Sequence, residues 1–164
     1  MEIRELPPAE FGEVIRLAKK VFMMFEAPEY SEEGIQNFVK TLDDPGFLAM
    51  LRVYGAYDRG QLAGMLATRS GGDHIALFFV DSRRQRQGVG RRLFDRACQD
   101  NSSGRMTVNS SPYATEIYHH LGFTDTDSEQ TVSGIRFTPM VCALNSNGQK
   151  DTESRKAQEE GAQA

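Results

Sequence analysis

Gln85, Gly88 and Gly90 stand in and just after a polar turn, Asp81 to Gln87, that also carries Arg83, Arg84 and Arg86. Directly before the turn runs HIALFFV, His74 to Val80, whose β-branched and aromatic residues are those of a buried strand. After it Val89, Leu93, Phe94 and Ala97 recur at helical spacing. A helix that begins this way leaves its first N–H groups unpaired and points the positive end of its dipole at the turn. That is a place for a phosphate. Glycine at 88 and 90 admits backbone angles other residues avoid and lets an anion approach the main chain. Two familiar phosphate motifs are excluded. The dinucleotide fingerprint needs a glycine where Leu93 stands, and the P-loop needs a lysine and a hydroxyl at the helix start.

Other residues capable of chemistry are fewer. Cys98 and Cys142 lack metal-ligand spacing and sit on apolar faces, which reads as two buried thiols in a reducing compartment. His119 and His120 close a short helix, where its dipole favours them. Adjacent residues point to different faces, so no metal site is expected. Glu26, Glu29, Glu32 and Glu33 crowd an early loop around Tyr30 and give it negative charge.

The elements that must position these residues can be read in order. Glu2 to Leu6 is a short strand, closed by Pro7-Pro8. Phe11, Val14, Ile15, Ala18, Val21, Phe22 and Phe25 mark an amphipathic helix from about Pro8 to Phe25. Ser31 caps a second helix bearing Ile35, Phe38, Val39 and Leu42, stopped by Pro45-Gly46. Phe47 to Tyr57 and Leu62 to Arg69 flank Asp58-Arg59-Gly60 as a hairpin, and Gly71-Gly72-Asp73 turns the chain into the strand ending at Val80. Beyond the glycine-loop helix come a strand at 106–109 and a helix from Pro112 to His120, with Ser111 as N-cap and Gly122 as left-handed cap. A final hairpin joins Gln130–Val132 to Ile135–Leu144 around Ser133-Gly134. The order is β-α-α-β-β-β-α-β-α-β-β. Residues 145–164 carry no apolar side chain except alanine and are expected to be disordered.

With 164 residues, 39% hydrophobic and 26% charged, the chain suits one soluble domain over residues 1–144. A net charge of −4 argues against nucleic acid as partner. No apolar stretch approaches the ~20 residues of a membrane span, and MEIRELPPAEF lacks a signal-peptide pattern. A cytoplasmic location is expected.

Gln85-x-x-Gly88-x-Gly90 between strand and helix resembles the acetyl-CoA loop of the GNAT superfamily of N-acyltransferases. A second signature agrees: Tyr118, Gly122 and Phe123 match the Tyr-x-x-x-Gly-Phe ending of that family's late helix. The element order also matches, so the resemblance covers roughly Met1 to Leu144. It implies an α/β fold with a mixed sheet and an acetyltransferase moving acetyl from acetyl-CoA (coenzyme A) to a small-molecule or peptide amine. Direct attack in a ternary complex is implied, because neither cysteine lies in either motif. The alternative is a catalytically silent acyl-CoA-binding domain on the same fold.

By the same resemblance, the main chain of Gln85, Arg86, Gln87, Gly88, Val89, Gly90 and Arg91 would hold the diphosphate, with Arg83, Arg84 or Arg86 near the adenosine phosphates. Phe78, Phe79 and Val80 would pair with the pantetheine arm, and Phe79 or Val80 would offer an N–H to the thioester oxygen. Tyr118 would be the general acid: a phenol of pKa about 10 can protonate a thiolate whose acid is near 8.5 on direct contact. His74, sharing a face with Ala76, Phe78 and Val80 by strict alternation, is the first choice of general base, with Glu26 or Glu29 as others. Ser111 stands where many relatives have asparagine on the cofactor. The fold admits a homodimer, for which Phe137, Met140 and Val141 are the candidate surface.

Overall fold

The computed structural model describes residues 1–144, and the tail expected to be disordered lies outside them. Strand β1 (Glu2–Leu6) leads through Pro7 and a 3-10 turn at Pro8–Glu10 into α1 (Phe11–Phe25). Its apolar stripe is buried from Phe11 to Phe22. Helix α2 (Glu32–Leu42) starts at Ser31, whose Oγ accepts from the Gly34 N–H at 3.1 Å. Glu32 and Glu33 are exposed in its first turn, where the helix dipole stabilises them.

A strand beginning at Phe47 does not form. Asp44 and Pro45 supply a cap and a first-position proline, and the chain makes one helical turn, α3 (Pro45–Leu48). The meander follows: β2 (Arg52–Asp58), β3 (Gln61–Arg69) and β4 (His74–Val80). Then come α4 (Val89–Gln99), β5 (Arg105–Ser110), α5 (Thr115–His120), β6 (Thr124–Asp125), β7 (Gln130–Val132) and β8 (Ile135–Ala143). The two-residue β6, absent from the sequence reading, pairs with Met140 and Val141.

The sheet runs β1-β2-β3-β4-β5-β8-β6, with β7 hydrogen-bonded to β8 off that path. Its pairs are antiparallel except β4 with β5. That parallel pair lasts only for His74 opposite Thr107 and Ile75 opposite Val108. The cause lies on the other edge of β4. Ile75 faces Thr68 and Leu77 faces Ala67, so Ala76 is a bulged extra residue. A bulge bends its strand and sharpens the local twist. From there β4 follows β3 to Val80, while β5 follows β8 to Ser110. A wedge opens between them.

Each face of the sheet carries a core. On one, α1 packs Val14, Ala18 and Phe22 with Met65, Leu77 and Phe79; on the other, α4 packs Leu93 and Phe94 with Leu66, Phe78 and Val80. The bulge also breaks strict alternation. Ile75, Phe78 and Val80 share the α4 core, whereas Ala76 joins the α1 core, so the single face drawn through His74, Ala76, Phe78 and Val80 does not exist. Helix α4 sits close because Gly64 lies beneath it: a Cβ there would come within 3.0 Å of Val89 Cγ1 and 3.2 Å of Leu93. Met140 is 1% exposed in the α4 core and Phe137 turns inward, so they do not form the expected dimer surface. Strand β8 runs between β5 and β6, which leaves Met140 facing the core. No helix among the described residues is long and apolar enough to cross a membrane.

Candidate active site

The wedge is the mouth of a cavity of about 820 Å³. Its floor is β4 from Ile75 to Phe79 and β5 at Val108 and Asn109, with Ser111, Ala114 and Tyr118 on one flank. Glu26, Tyr30 and α2 form the opposite wall, and the β7–β8 hairpin contributes Val132 to Phe137.

The free edge of β4 has a definite polarity. Asp81 N–H donates to Ala63 O at 2.9 Å, so by the strand's period of two the Phe79 main chain also faces β3. Phe78 and Val80 therefore turn their amides and carbonyls toward the wedge. Gln85 Nε2 donates to Val80 O at 3.3 Å, which ties the glycine loop to the end of that edge. Of the two N–H donors expected there, Val80 faces the opening and Phe79 does not.

The loop is fixed from beneath. Buried Asp81 accepts from the Arg83 backbone N–H at 2.9 Å and pairs with its side chain, which holds the carboxyl below its ordinary range. Arg84 is ion-paired with Asp58. These two arginines, expected beside phosphates, also brace the loop. Arg86 is exposed, takes a left-handed φ of 64°, and its charge reaches Tyr113 across the opening. Gly88 caps α4 at φ 83° with no side-chain hydrogen bond, and a Cβ there would meet nothing within 4 Å. The amides that open α4 are thus approachable by an anion. Arg91 is largely buried and pairs with Asp95 at 3.1 Å.

Tyr118 is 6% exposed on α5, wedged edge-on between the Phe78 and Phe123 rings. Burial, and then the charge of Glu26, push its phenol well above the usual range. It therefore holds its proton at any physiological pH. Ser111 does not cap the following helix. Its buried Oγ lies beside the Glu26 carboxyl without a well-formed hydrogen bond, and it has no other partner among the described residues.

Glu26 ends α1 and faces this flank. Burial pushes its carboxyl up to about 7, nearby Glu29 adds to the rise, and Ser111 offsets part of it. The rise in Tyr30, Tyr113 and Tyr118 each includes a contribution from Glu26, which places that carboxyl among three phenols. In the sequence it was one acid among several in a charged loop.

His74 is not among the residues that line the cavity. It starts β4 before the bulge, with Nδ1 2.8 Å from Thr107 Oγ1. The Thr107 hydroxyl donates to Asp73 O at 3.2 Å, so the hydrogen between the two residues belongs to the imidazole. Burial, then Arg69, depress its pKa to about 4.

A free strand edge, the Ser111 hydroxyl and a titratable carboxyl line one cavity, and the bare start of α4 follows in the chain from the end of that edge. Residues 26–144 match the description "Acetyltransferase (GNAT) domain". The chain belongs to the GNAT acetyltransferases. The GCN5-related N-acetyltransferase from Rhodopseudomonas palustris shares the GNAT fold at 22% identity and a TM-score of 0.75, covering 87% of this chain and 95% of that one. The PaiA N-acetyltransferase from Thermoplasma acidophilum, solved in complex with coenzyme A, superposes at 16% identity and a TM-score of 0.66, covering 87% and 98%. An aminoglycoside 6'-N-acetyltransferase complexed with coenzyme A does so at 14% and 0.58, covering 87% and 97%. At these identities the likeness establishes the fold. No curated protein matches the sequence.

Proposed function

We propose that this GNAT protein is an acetyl-CoA-dependent N-acetyltransferase acting on a primary amine by direct attack in a ternary complex. Glu26 is the general base and Tyr118 the general acid. The observation that carries the reading is the pair itself: a carboxyl poised at about 7 and a buried, protonated phenol on the flanks of one cavity. A carboxyl tuned this way on the cavity wall supports an enzyme over a silent binding domain.

The residues present fit coenzyme A. The amides of Gln85 to Arg91 hold the diphosphate at the α4 terminus, with Arg86 adding positive charge and Gly88 keeping the approach open. The free edge at Phe78 and Val80 takes the pantetheine arm as an added strand. The unpartnered Ser111 Oγ gains a hydrogen-bond partner. When bound, the thioester supplies the acyl group in activated form. Val80 N–H is the donor for its carbonyl oxygen.

Glu26 in its carboxylate form accepts a proton from the acceptor ammonium, leaving the nitrogen lone pair free to attack. Near pH 7 both forms of Glu26 are populated, which suits a base that must recover between turnovers. The Tyr118 hydroxyl donates its proton to the departing thiolate, and the second proton that the attacking nitrogen loses on becoming an amide restores the phenol, whose raised pKa favours that return.

The test is release of free thiol from acetyl-CoA over a panel of amines, as a function of pH. Amine-dependent release rising through about pH 7 is expected. Binding of acetyl-CoA with no release for any amine would sink the proposal.

A further inference from the structure

On the α2 side of the cavity, two walls are joined by a close contact. The turn between β7 and β8 lies on the first turn of α2. A Cβ on Gly34 would overlap the carbonyl oxygen of Gly134, so only glycine at 34 lets the two backbones approach this closely. Gly134 itself has φ 78°, a left-handed conformation that suits glycine. Asn37 Nδ2 donates to Ser133 O at 2.9 Å, and Arg136 Nη1 donates to Glu29 O at 3.1 Å. Three tethers thus fasten the hairpin to the α1–α2 side.

A polypeptide presenting a lysine or an N-terminus has to run across the acceptor side and leave the groove with its chain. The bridge from α2 to β8 stands in that path. The lining on this side includes Phe38 from α2 and Ile135 and Phe137 from the hairpin, beside the polar Asn37, Thr41 and Ser133. Of the acids in the early loop, Glu26 faces the reaction flank, while Glu32 and Glu33 are exposed to solvent. At the far end Asp43 is ion-paired with Lys19 at 2.7 Å, and Asp44 Oδ1 caps α3 through Gly46 N–H at 3.2 Å.

We infer that the acceptor is a small free amine on an apolar body, taken in whole beneath the β7–β8 turn, rather than an amine of a polypeptide or a polycation. The inference rests on the acyl transfer proposed above. The apolar body packs among Phe38, Ile135 and Phe137, and the amino group reaches Glu26.

The experiment compares kcat/KM for 2-phenylethylamine, spermidine and a short peptide with a free N-terminus and one lysine, at saturating acetyl-CoA. The arylalkylamine is expected to exceed the other two by about a hundredfold. Equal or better turnover of the peptide or of spermidine overturns the inference and leaves acyl transfer standing. No turnover of any amine despite acetyl-CoA binding overturns both. Asn37→Ala unties the turn at its mildest point. It is expected to raise the KM for 2-phenylethylamine about fivefold, leave the KM for acetyl-CoA unchanged, and narrow the gap to the peptide. An unchanged ratio of amine to peptide in Asn37→Ala contradicts the bridge's role.

Discussion

Glu26 and His74 carry opposite shifts, and each makes a distinct pH prediction. If Glu26 is the base proposed above, its pKa near 7 makes the carboxylate form dominant above that value, so the rate should climb with pH below about 7 and level above it. Glu26→Gln should lower kcat by roughly 10²–10⁴-fold and erase that limb. Stability moves the other way. The folded pKa lies above the ordinary 4.5, so the folded state holds this proton more tightly, and the contribution is lost as pH rises from 4.5 through about 7. Denaturant melts of Glu26→Gln should show a flatter profile over that window. His74 is depressed from 6.5 to about 4, so its contribution is present above 6.5 and lost as pH falls toward 4. His74→Gln should lose less stability over that fall than the parent, and thiol release should stay within a few-fold. Tyr118→Phe should cut kcat by at least about tenfold with the coenzyme A dissociation constant little changed. Tyr118 was legible in the sequence because a short motif fixes its place. Glu26 stood there only beside Glu29 as an alternative base, because burial in the folded cavity wall, not its position in a charged loop, gives it its character.

At the scale of elements, the strands and helices were legible from periodicity, and most boundaries fall within a few residues of their structural positions. Three departures have physical causes. Asp44-Pro45 initiates a helical turn where apolar Phe47 and Leu48 had suggested a strand. Thr124–Asp125 is too short to leave a pattern. The Ala76 bulge leaves no composition signal at all, yet it decides which side chains share a face and opens the wedge. Glycines at two positions make this scale testable. Gly64→Ala pushes a Cβ against Val89, Leu93 and the Phe79 carbonyl, so α4 must shift at a cost of roughly 1–3 kcal/mol in a denaturant melt. Gly88→Ala meets open space and should cost only roughly 1–2 kcal/mol, from its left-handed φ of 83°. Because the same change tilts the amides at the α4 terminus, calorimetry should show coenzyme A binding weakened more than stability alone explains.

For the molecule as a whole, the proposed cofactor half of the site follows one continuous stretch, β4 through α4, and so could be read along the chain. The acceptor half is assembled from α1, α2 and the last hairpin, far apart in sequence, and contacts such as Gly34 against Gly134 exist only in three dimensions. Both halves meet at the open edge of β4, and that meeting is tested most directly by a crystal structure with coenzyme A at saturating concentration. The diphosphate should lie on the amides of residues 85–91, the pantetheine arm along Phe78 and Val80, and the sulfur within hydrogen-bonding reach of Tyr118 Oη. Density elsewhere, or a sulfur remote from Tyr118 and Glu26, would contradict the assignment.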